Sequence, residues 1–197
     1  MNISPYPSAL PALIAMSIGG VIFGALVVRT RLQARETGGD GQRSRASVAG
    51  ILFQMGSYVA VGLGSVSPRL DSWSMLAIVE TLAVTLLMGA ANLLFVASTR
   101  ALGANWSLEA RVRDRHSLVT SGPFTHVRHP IYVAMALFLL ALAIALGHWR
   151  QLVFGAPLFA IGTLLRVREE ERLLRQRFGG TYDDYATRVA RFLPGLI

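Results

Sequence analysis

Residues 131–165 read IYVAMALFLLALAIALGHWRQLVFGAPLFAIGTLL, two apolar runs that only His148, Trp149 and Arg150 separate. Because the polar link is so short, the pair predicts an antiparallel helical hairpin, with the amphipathic ring of Trp149 at a membrane interface. Neither run reaches the ~20 residues that cross the hydrocarbon core of a bilayer. We therefore expect a tilted or incompletely spanning hairpin.

Three longer apolar segments precede this hairpin. Residues 9–28 and 46–66 contain no charged side chain, and residues 73–99 contain a single carboxylate, Glu80. Of the 197 residues, 53% are hydrophobic, which exceeds what an ordinary soluble domain carries. The chain is therefore predicted to be an all-α polytopic integral membrane protein, a single domain over residues 1–197 with about five transmembrane helices.

Four residues of the apolar segments are interpreted as structural. Gly20 and Gly24 have the four-residue spacing that lets membrane helices approach closely, and we expect them to pack within the chain. Glu80 is an ionisable group inside a membrane helix, a position that is functional by default. It lies on the outer side, however, and His148 lies at the hairpin tip on that same side. We expect both to form buried or interfacial hydrogen bonds.

The arginines divide unequally between the two membrane faces. Connections between the five segments alternate in side, and one side receives 17 arginines while the other receives only Arg69 and Arg150. By the positive-inside rule, the N-terminus is outside and the C-terminus is cytoplasmic, in a bacterial inner membrane. Membrane topology and lipid contact explain the net charge of +8 better than nucleic-acid binding does.

The C-terminal tail is predicted to be helical and cytoplasmic. Residues 166–177 continue the last membrane helix as a charged one, which Gly179 and Gly180 end. A second short helix follows, and we expect it to lie on the membrane surface or to cover a site. Its apolar face is formed by Tyr182, Tyr185, Val189 and Phe192. The chain has no cysteine, so thiolate metal sites and thiol nucleophiles are excluded, and no metal is predicted.

Two polar clusters flank the predicted hairpin. His129 precedes Pro130, which suits a first helical position, so His129 and the free backbone amides there favour an anionic group; the alternative is a simple interfacial charge. The second cluster is Arg166, Arg168, Glu169, Glu170 and Glu171, for which the alternative is a solvated, salt-bridged helix face. Because the hairpin returns the second cluster to the level of the first, together they predict one binding site.

Motifs in the C-terminal half occur in a characteristic order. Arg128-His129-Pro130-Ile131-Tyr132 is followed about 40 residues later by Glu170-Glu171, and then by Phe178-Gly179-Gly180-Thr181-Tyr182-Asp183-Asp184-Tyr185. In this order, and with residues 116–122 upstream, the chain resembles the isoprenylcysteine carboxyl methyltransferases over roughly residues 100–194. The phospholipid N-methyltransferases are close relatives of that family.

The resemblance implies an S-adenosyl-L-methionine-dependent methyltransferase that acts on a lipophilic small molecule or lipidated acceptor, by carboxyl O-methylation of an isoprenylcysteine-like substrate. Residues 1–99 would supply three transmembrane helices and residues 100–197 the cofactor-binding catalytic region. Arg166, on the acceptor side, and Glu170 are the implied catalytic residues. The implied cofactor contacts are His116, Ser117, Leu118, Val119, Phe124, His129, Pro130, Ile131, Tyr132 and Glu170. Glu109 stands where the family often has glutamine, and Phe124 where it often has tyrosine.

Three alternatives stay open at this point. The first is a phospholipid N-methyltransferase or another methyltransferase for small lipophilic acceptors. The second is a membrane reductase that uses NADPH, since sterol reductases share an Arg-His-Pro-like segment and terminal tyrosines. The third is a transporter or scaffold, which predicts polar residues throughout the membrane interior, whereas this chain has only Glu80, Asn92 and a few hydroxyls or amides there.

Reporter fusions test the predicted topology. A reporter fused after Ala46, Arg115 or Ile197 is expected to report the cytoplasm, and one inserted at residues 67–72 the exterior, because the arginine distribution sets the orientation. An external C-terminus would contradict the predicted site, since the methyl donor is cytoplasmic.

Overall fold

The structure is a computed structural model that describes residues 6–36, 45–103 and 117–195. Each of the five predicted apolar segments corresponds to one helix, and a sixth helix follows in the tail. These helices are α1 (Leu10–Glu36), α2 (Arg45–Gly62), α3 (Met75–Leu102), α4 (Pro130–Ala145), α5 (Leu152–Phe178) and α6 (Gly180–Arg188). α5 is continuous through its charged half, as predicted, and ends at Gly179, whose φ of 52° suits glycine.

Three segments are long and apolar enough to cross a membrane: Leu10–Gln33, Met75–Leu102 and Trp149–Phe178. The apolar parts of the other two helices are shorter, Ala46–Gly62 and Pro130–Ala145. At ~1.5 Å per residue, the 16 residues of α4 extend about 24 Å, less than the ~30 Å of the hydrocarbon core. The chain is thus a helical integral membrane protein with three full-length candidate spans and two short apolar helices.

The helices pack in pairs that their order along the chain does not predict. α5 packs mainly against α2, and α4 mainly against α3, which also packs against α1. α4 and α5 are antiparallel, because Glu170 and Glu171 near the end of α5 lie beside His129 at the start of α4. The predicted hairpin therefore has the right direction, but its two helices pack on other partners. Apart from this contact at His129, α4 and α5 touch each other little, and a space remains between them.

Glycines bring the backbones of α2 and α5 into close contact. A Cβ atom at Gly162 would lie 2.6 Å from the carbonyl oxygen of Gly50. One at Gly155, seven residues earlier on α5, would lie 2.4 Å from a methyl group of Val61. Contacts this short leave no room for a side chain, so small residues are required along this crossing.

The predicted close approach at Gly20 and Gly24 is not found. A Cβ at Gly24 would meet nothing within 4 Å, and the nearest atom to one at Gly20 would be 3.8 Å away in Phe138. Gly19 is instead the tight position of α1, 2.9 Å from the Met88 side chain of α3. The spacing pattern was correct for a membrane helix but selected the wrong face, because it carries no information about the partner.

The end of the bundle opposite His129, here called the strand end, contains two short strands. β1 (Pro7–Ala9) pairs in parallel with β2 (Ser67–Leu70). The all-α prediction therefore missed one small sheet. Trp149 lies at this end, half-exposed, with its ring 5.2 Å from that of Tyr6, as suits an interfacial aromatic residue.

Glu80 and His148 both have structural hydrogen bonds at the strand end, as expected. The Ala9 amide donates to Glu80 Oε1 at 3.1 Å. His148 is buried, with its ring nitrogens 2.8 Å from the Val61 carbonyl oxygen and 3.1 Å from that of Ser65. These contacts join β1 to α3 and the turn before α5 to the end of α2.

The tight crossing of α2 and α5 predicts that adding a methyl group lowers the stability of the protein at the crossing but not elsewhere on α2. Gly162→Ala is expected to lower the free energy of unfolding by about 1–3 kcal/mol, because the new Cβ forces the two backbones apart. Gly56→Ala on α2 is the control: nothing lies within 4 Å of its Cβ position, and alanine favours a helix over glycine by ~1 kcal/mol. Thermal unfolding in detergent measures both, and equal midpoints for the two variants would contradict the crossing.

Candidate active site

A cavity of about 790 Å³ lies between α4 and α5 at the His129 end of the bundle. Small-molecule sites typically have volumes of ~300–1,000 Å³. Every predicted site residue that the structure describes lines it: Ser117, Leu118, Val119, Phe124, His129, Pro130, Ile131, Tyr132, Arg166 and Glu170. His116 and Glu109 lie outside the described residues.

His129 joins the two predicted polar clusters. It is 5% exposed, with Nδ1 3.6 Å from Glu170 and Nε2 3.3 Å from Glu171. Burial lowers the pKa of His129, but the hydrogen bonds and charges of the two glutamates raise it more, so the net pKa is above its ordinary value. The imidazolium form is thereby favoured, and it bridges two carboxylates.

The three consecutive glutamates point in different directions, because successive residues of an α-helix are ~100° apart. Glu169 forms a bidentate pair with Arg172 on the exposed side of α5. Glu170 faces the cavity and accepts a hydrogen bond from the Tyr132 hydroxyl. Glu171 is 1% exposed and faces the C-terminal tail. The salt-bridged-face interpretation therefore describes Glu169, which is 14% exposed and paired with Arg172.

Glu171 fastens the C-terminal tail to α5. It accepts two hydrogen bonds from the Arg191 guanidinium, at 3.0 and 2.8 Å. Arg128 and Arg175 lie 3.5 and 3.7 Å from it. A buried carboxylate needs such partners, because taking a lone charge out of water costs several kcal/mol. Arg175 is one helical turn from Glu171, whereas Arg128 and Arg191 are distant in the chain and only the fold brings them to Glu171.

The tail also occupies backbone amides before α4. The Arg128 amide donates to the Ala190 carbonyl at 2.8 Å. The His129 amide donates to Arg191 at 3.1 Å, and Pro130 has no N–H to offer. The predicted set of free amides for an anion is therefore wrong in part, because the returning chain forms a bridge with this segment. The helix start is consequently a poorer anion site than the sequence implied.

α6 lies over the cavity. Of the two roles expected for this helix, it therefore has that of covering a site. Tyr182 and Tyr185 are buried and line the cavity. The Tyr185 hydroxyl donates to the Phe124 carbonyl at 2.6 Å, and burial raises the pKa of Tyr185 to about 12, which keeps the hydroxyl a donor. The Tyr182 hydroxyl is buried without a hydrogen-bond partner among the described residues.

Arg166 lies on the α5 wall of the cavity and is 6% exposed. Its guanidinium carbon is 5.1 Å from the centre of the Tyr132 ring. Its Nη2 is 4.0 Å from Glu170, on the shared helix face that their spacing predicts. Its Nη1 donates to Gln54 Oε1 at 2.9 Å. Such burial is not that of an interfacial anchor, whose charged head would extend to water.

Apart from Arg31 and Arg128, the rest of the cavity lining is largely apolar and includes residues of α1 and α2. This lining includes Phe23, Gly24, Val27, Val28, Met55, Tyr58 and Phe138. Gly24, Val28 and Met55, which line this part of the cavity, are themselves exposed. The sequence predicts no site residue on α1 or α2, because apolar lining residues have no motif. Gln54 gave the one available signal, an amide inside an apolar segment.

Known proteins resemble the central part of the chain. Residues 80–176 match the model of the isoprenylcysteine carboxyl methyltransferase family. The chain is 33% identical over 88 residues to the nickel-cobalt-cadmium resistance protein NccN of Alcaligenes xylosoxydans xylosoxydans, covering 43% of this chain and 39% of the relative. It is 33% identical over 100 residues to the cobalt-zinc-cadmium resistance protein CzcN of Cupriavidus metallidurans, covering 50% of this chain and 46% of the relative.

A third relative is protein-S-isoprenylcysteine O-methyltransferase of Schizosaccharomyces pombe, 34% identical over 80 residues, or 40% of this chain and 34% of the relative. The chain thus spans less than half the length of each of these relatives. Within residues 6–36, 45–103 and 117–195, no group of three or more His, Asp or Glu side chains is placed to hold a metal ion. The matched stretch contains both polar clusters of the cavity, and over residues 80–176 the chain is similar to the isoprenylcysteine carboxyl methyltransferase family.

Proposed function

We propose that the protein is a membrane methyltransferase that binds S-adenosylmethionine in this cavity and methylates the carboxylate of a lipophilic, isoprenylcysteine-like acceptor. The observation that carries the proposal is the convergence of Glu170, Tyr132 and Arg166 at the polar end of a cavity whose other end is apolar. A charged donor needs the polar end of the cavity, and a lipophilic acceptor needs the apolar end.

The polar end fits the functional groups of the donor. When bound, S-adenosylmethionine supplies an electrophilic methyl group on a positively charged sulfur. Glu170, 26% exposed and directed into the cavity, would hold the ammonium group or the ribose hydroxyls. His129 acts through Glu170, which it holds in place. Tyr182 and Tyr185 would form part of the wall around this ligand.

Four further residues complete the proposed donor site. The aromatic rings of Tyr132 and Phe124 would lie against the positive sulfur, a favourable contact for a cation. The backbones of Leu118 and Val119 would contact the adenine edge. Positioning and exclusion of water then account for most of the expected rate enhancement.

Arg166 would orient the acceptor. A guanidinium presents a planar fork that matches a carboxylate, and it repels a cationic amine. A carboxylate is already nucleophilic, so it needs no general base, and an ammonium acceptor would first have to lose a proton. The site therefore favours carboxyl O-methylation over phospholipid N-methylation.

The arginine distribution supports the proposed membrane orientation. By the positive-inside rule, the His129 end would lie at the cytoplasmic face of a bacterial inner membrane, where the donor is available. The acceptor would enter from the inner leaflet between α1 and α2, since α1 packs mainly on α3 and α2 mainly on α5. Its apolar chain would lie against Phe23, Met55 and Phe138.

Donor binding is tested with Glu170→Gln. S-adenosylhomocysteine is expected to bind the wild-type protein in detergent with micromolar affinity, and the variant to lose about 2–5 kcal/mol of binding free energy, the cost of leaving a desolvated charged group unpaired. Glu169→Gln is the matched control, since Glu169 pairs with Arg172 outside the cavity. Isothermal titration measures all three proteins. Unchanged affinity in Glu170→Gln would remove Glu170 from the site, and binding of NADPH instead would favour a reductase.

Acceptor orientation is tested with Arg166→Lys and Arg166→Ala. Both variants are expected to lose turnover by at least about tenfold while keeping affinity for S-adenosylhomocysteine, because lysine keeps the charge but not the fork. Arg168→Lys is the control, since Arg168 is exposed two residues away. Turnover is measured with radiolabelled donor and extraction of the lipophilic product. Full activity of Arg166→Lys, or a methylated phospholipid amine as product, would contradict this role.

A further inference from the structure

Gln54 is a buried amide in the middle of an apolar helix. It lies on α2, is 2% exposed, and belongs to the part of the chain outside the family match. A buried amide costs stability unless its donor and acceptor groups are both hydrogen-bonded. Its partners therefore show what it is there to hold.

Both ends of the Gln54 side chain bond to α5. The carbonyl oxygen accepts from Arg166 Nη1 at 2.9 Å, and the amide nitrogen donates to the Thr163 hydroxyl at 2.9 Å. Thr163 and Arg166 are three residues apart, so they share one face of α5. Because one amide end is anchored on Thr163, the other end is held in a defined orientation toward the guanidinium.

A second contact of α2 holds the stem of the same arginine. Gly50 lies one turn before Gln54, and a Cβ there would be 2.4 Å from Arg166 Cγ. The absent side chain at Gly50 thus lets the arginine stem lie directly on the α2 backbone. α2 therefore contacts Arg166 twice, at the stem through Gly50 and at the charged head through Gln54.

The chemistry of this contact is selective. A glutamine oxygen aligns a guanidinium without cancelling its charge, whereas a carboxylate at the same place would neutralise it. Thus held, the Arg166 head lies over the Tyr132 ring and 4.0 Å from Glu170, at the polar end of the cavity. The guanidinium therefore lies between Glu170 and the apolar compartment, where it can meet an anionic group.

We infer that Gln54 is a positioning residue that aims Arg166 at the anionic end of the acceptor while leaving its charge intact. This inference rests on the proposed function. It makes α2 part of the active site, although no motif of the family lies there.

The test measures the coupling between Gln54 and Arg166 in the full-length protein in detergent. The acceptor probe is N-acetyl-S-farnesylcysteine, an anionic isoprenylcysteine, with radiolabelled S-adenosylmethionine. Gln54→Met removes both hydrogen bonds at similar volume, and kcat/KM for the probe is expected to fall at least about tenfold, as for the loss of a hydrogen bond to a charged group. Affinity for S-adenosylhomocysteine should be unchanged. In an Arg166→Ala background, Gln54→Met should have no further effect.

Gln54→Glu provides a second measurement should Gln54→Met fold poorly. It keeps an oxygen for Arg166 but cancels the charge, so KM for the probe is expected to rise at unchanged donor affinity. Gln151→Met is the matched control, since Gln151 bonds to the Leu63 carbonyl at the strand end, and it should retain wild-type kinetics. Wild-type kinetics in either Gln54 variant would overturn the inference. Equal effects of Gln54→Met with and without Arg166 would also overturn it.

The wild-type protein separates this inference from the proposed function. Binding of S-adenosylhomocysteine without binding or methylation of the anionic probe would overturn the role of Gln54 and the isoprenylcysteine-like acceptor, and would leave the donor-binding part of the proposed function intact. Binding of neither compound would overturn the proposed function itself.

Discussion

A buried histidine between two glutamates determines the geometry of the site. Charges removed from water cost several kcal/mol each unless they are paired, so His129, Glu170 and Glu171 have to remain together in the folded protein. His129 begins α4, and the glutamates lie near the end of α5. The contact therefore joins the ends of two helices that otherwise touch little, and the space between those helices is the cavity.

Helix geometry lets adjacent carboxylates serve different purposes. Glu170 faces the cavity, where a ligand can reach it, whereas Glu171 is sealed under Arg191 and holds the tail in place. Because the tail carries α6 across the cavity, the pairing of Glu171 also brings Tyr182 to the wall. Two adjacent glutamates thus have different roles. Glu170 forms part of the proposed donor site, and Glu171 holds the tail that covers this site.

The proposed site divides between the matched and unmatched parts of the chain. Residues 80–176 contain His129, Tyr132 and Glu170, which form the polar end. α1 and α2, outside that match, supply much of the apolar compartment and the amide that holds Arg166. Under the proposed function, donor chemistry belongs to the shared region and acceptor recognition depends largely on the N-terminal helices. Relatives that share the donor chemistry therefore need not share the same acceptor.

Hydropathy and motif order were sufficient for the five apolar helices, the charged continuation of α5, and the cavity residues around His129 and Glu170. These features are local, since run length and helical spacing are properties of neighbouring residues. Only the tertiary structure decided that α5 packs on α2, that the tail occupies the amide of His129, and that Gln54 meets Arg166. The physical reason is that all faces of an apolar helix are equally hydrophobic. Its partners are therefore selected by the shapes of small residues and by the pairing of its few polar groups, which no single segment specifies.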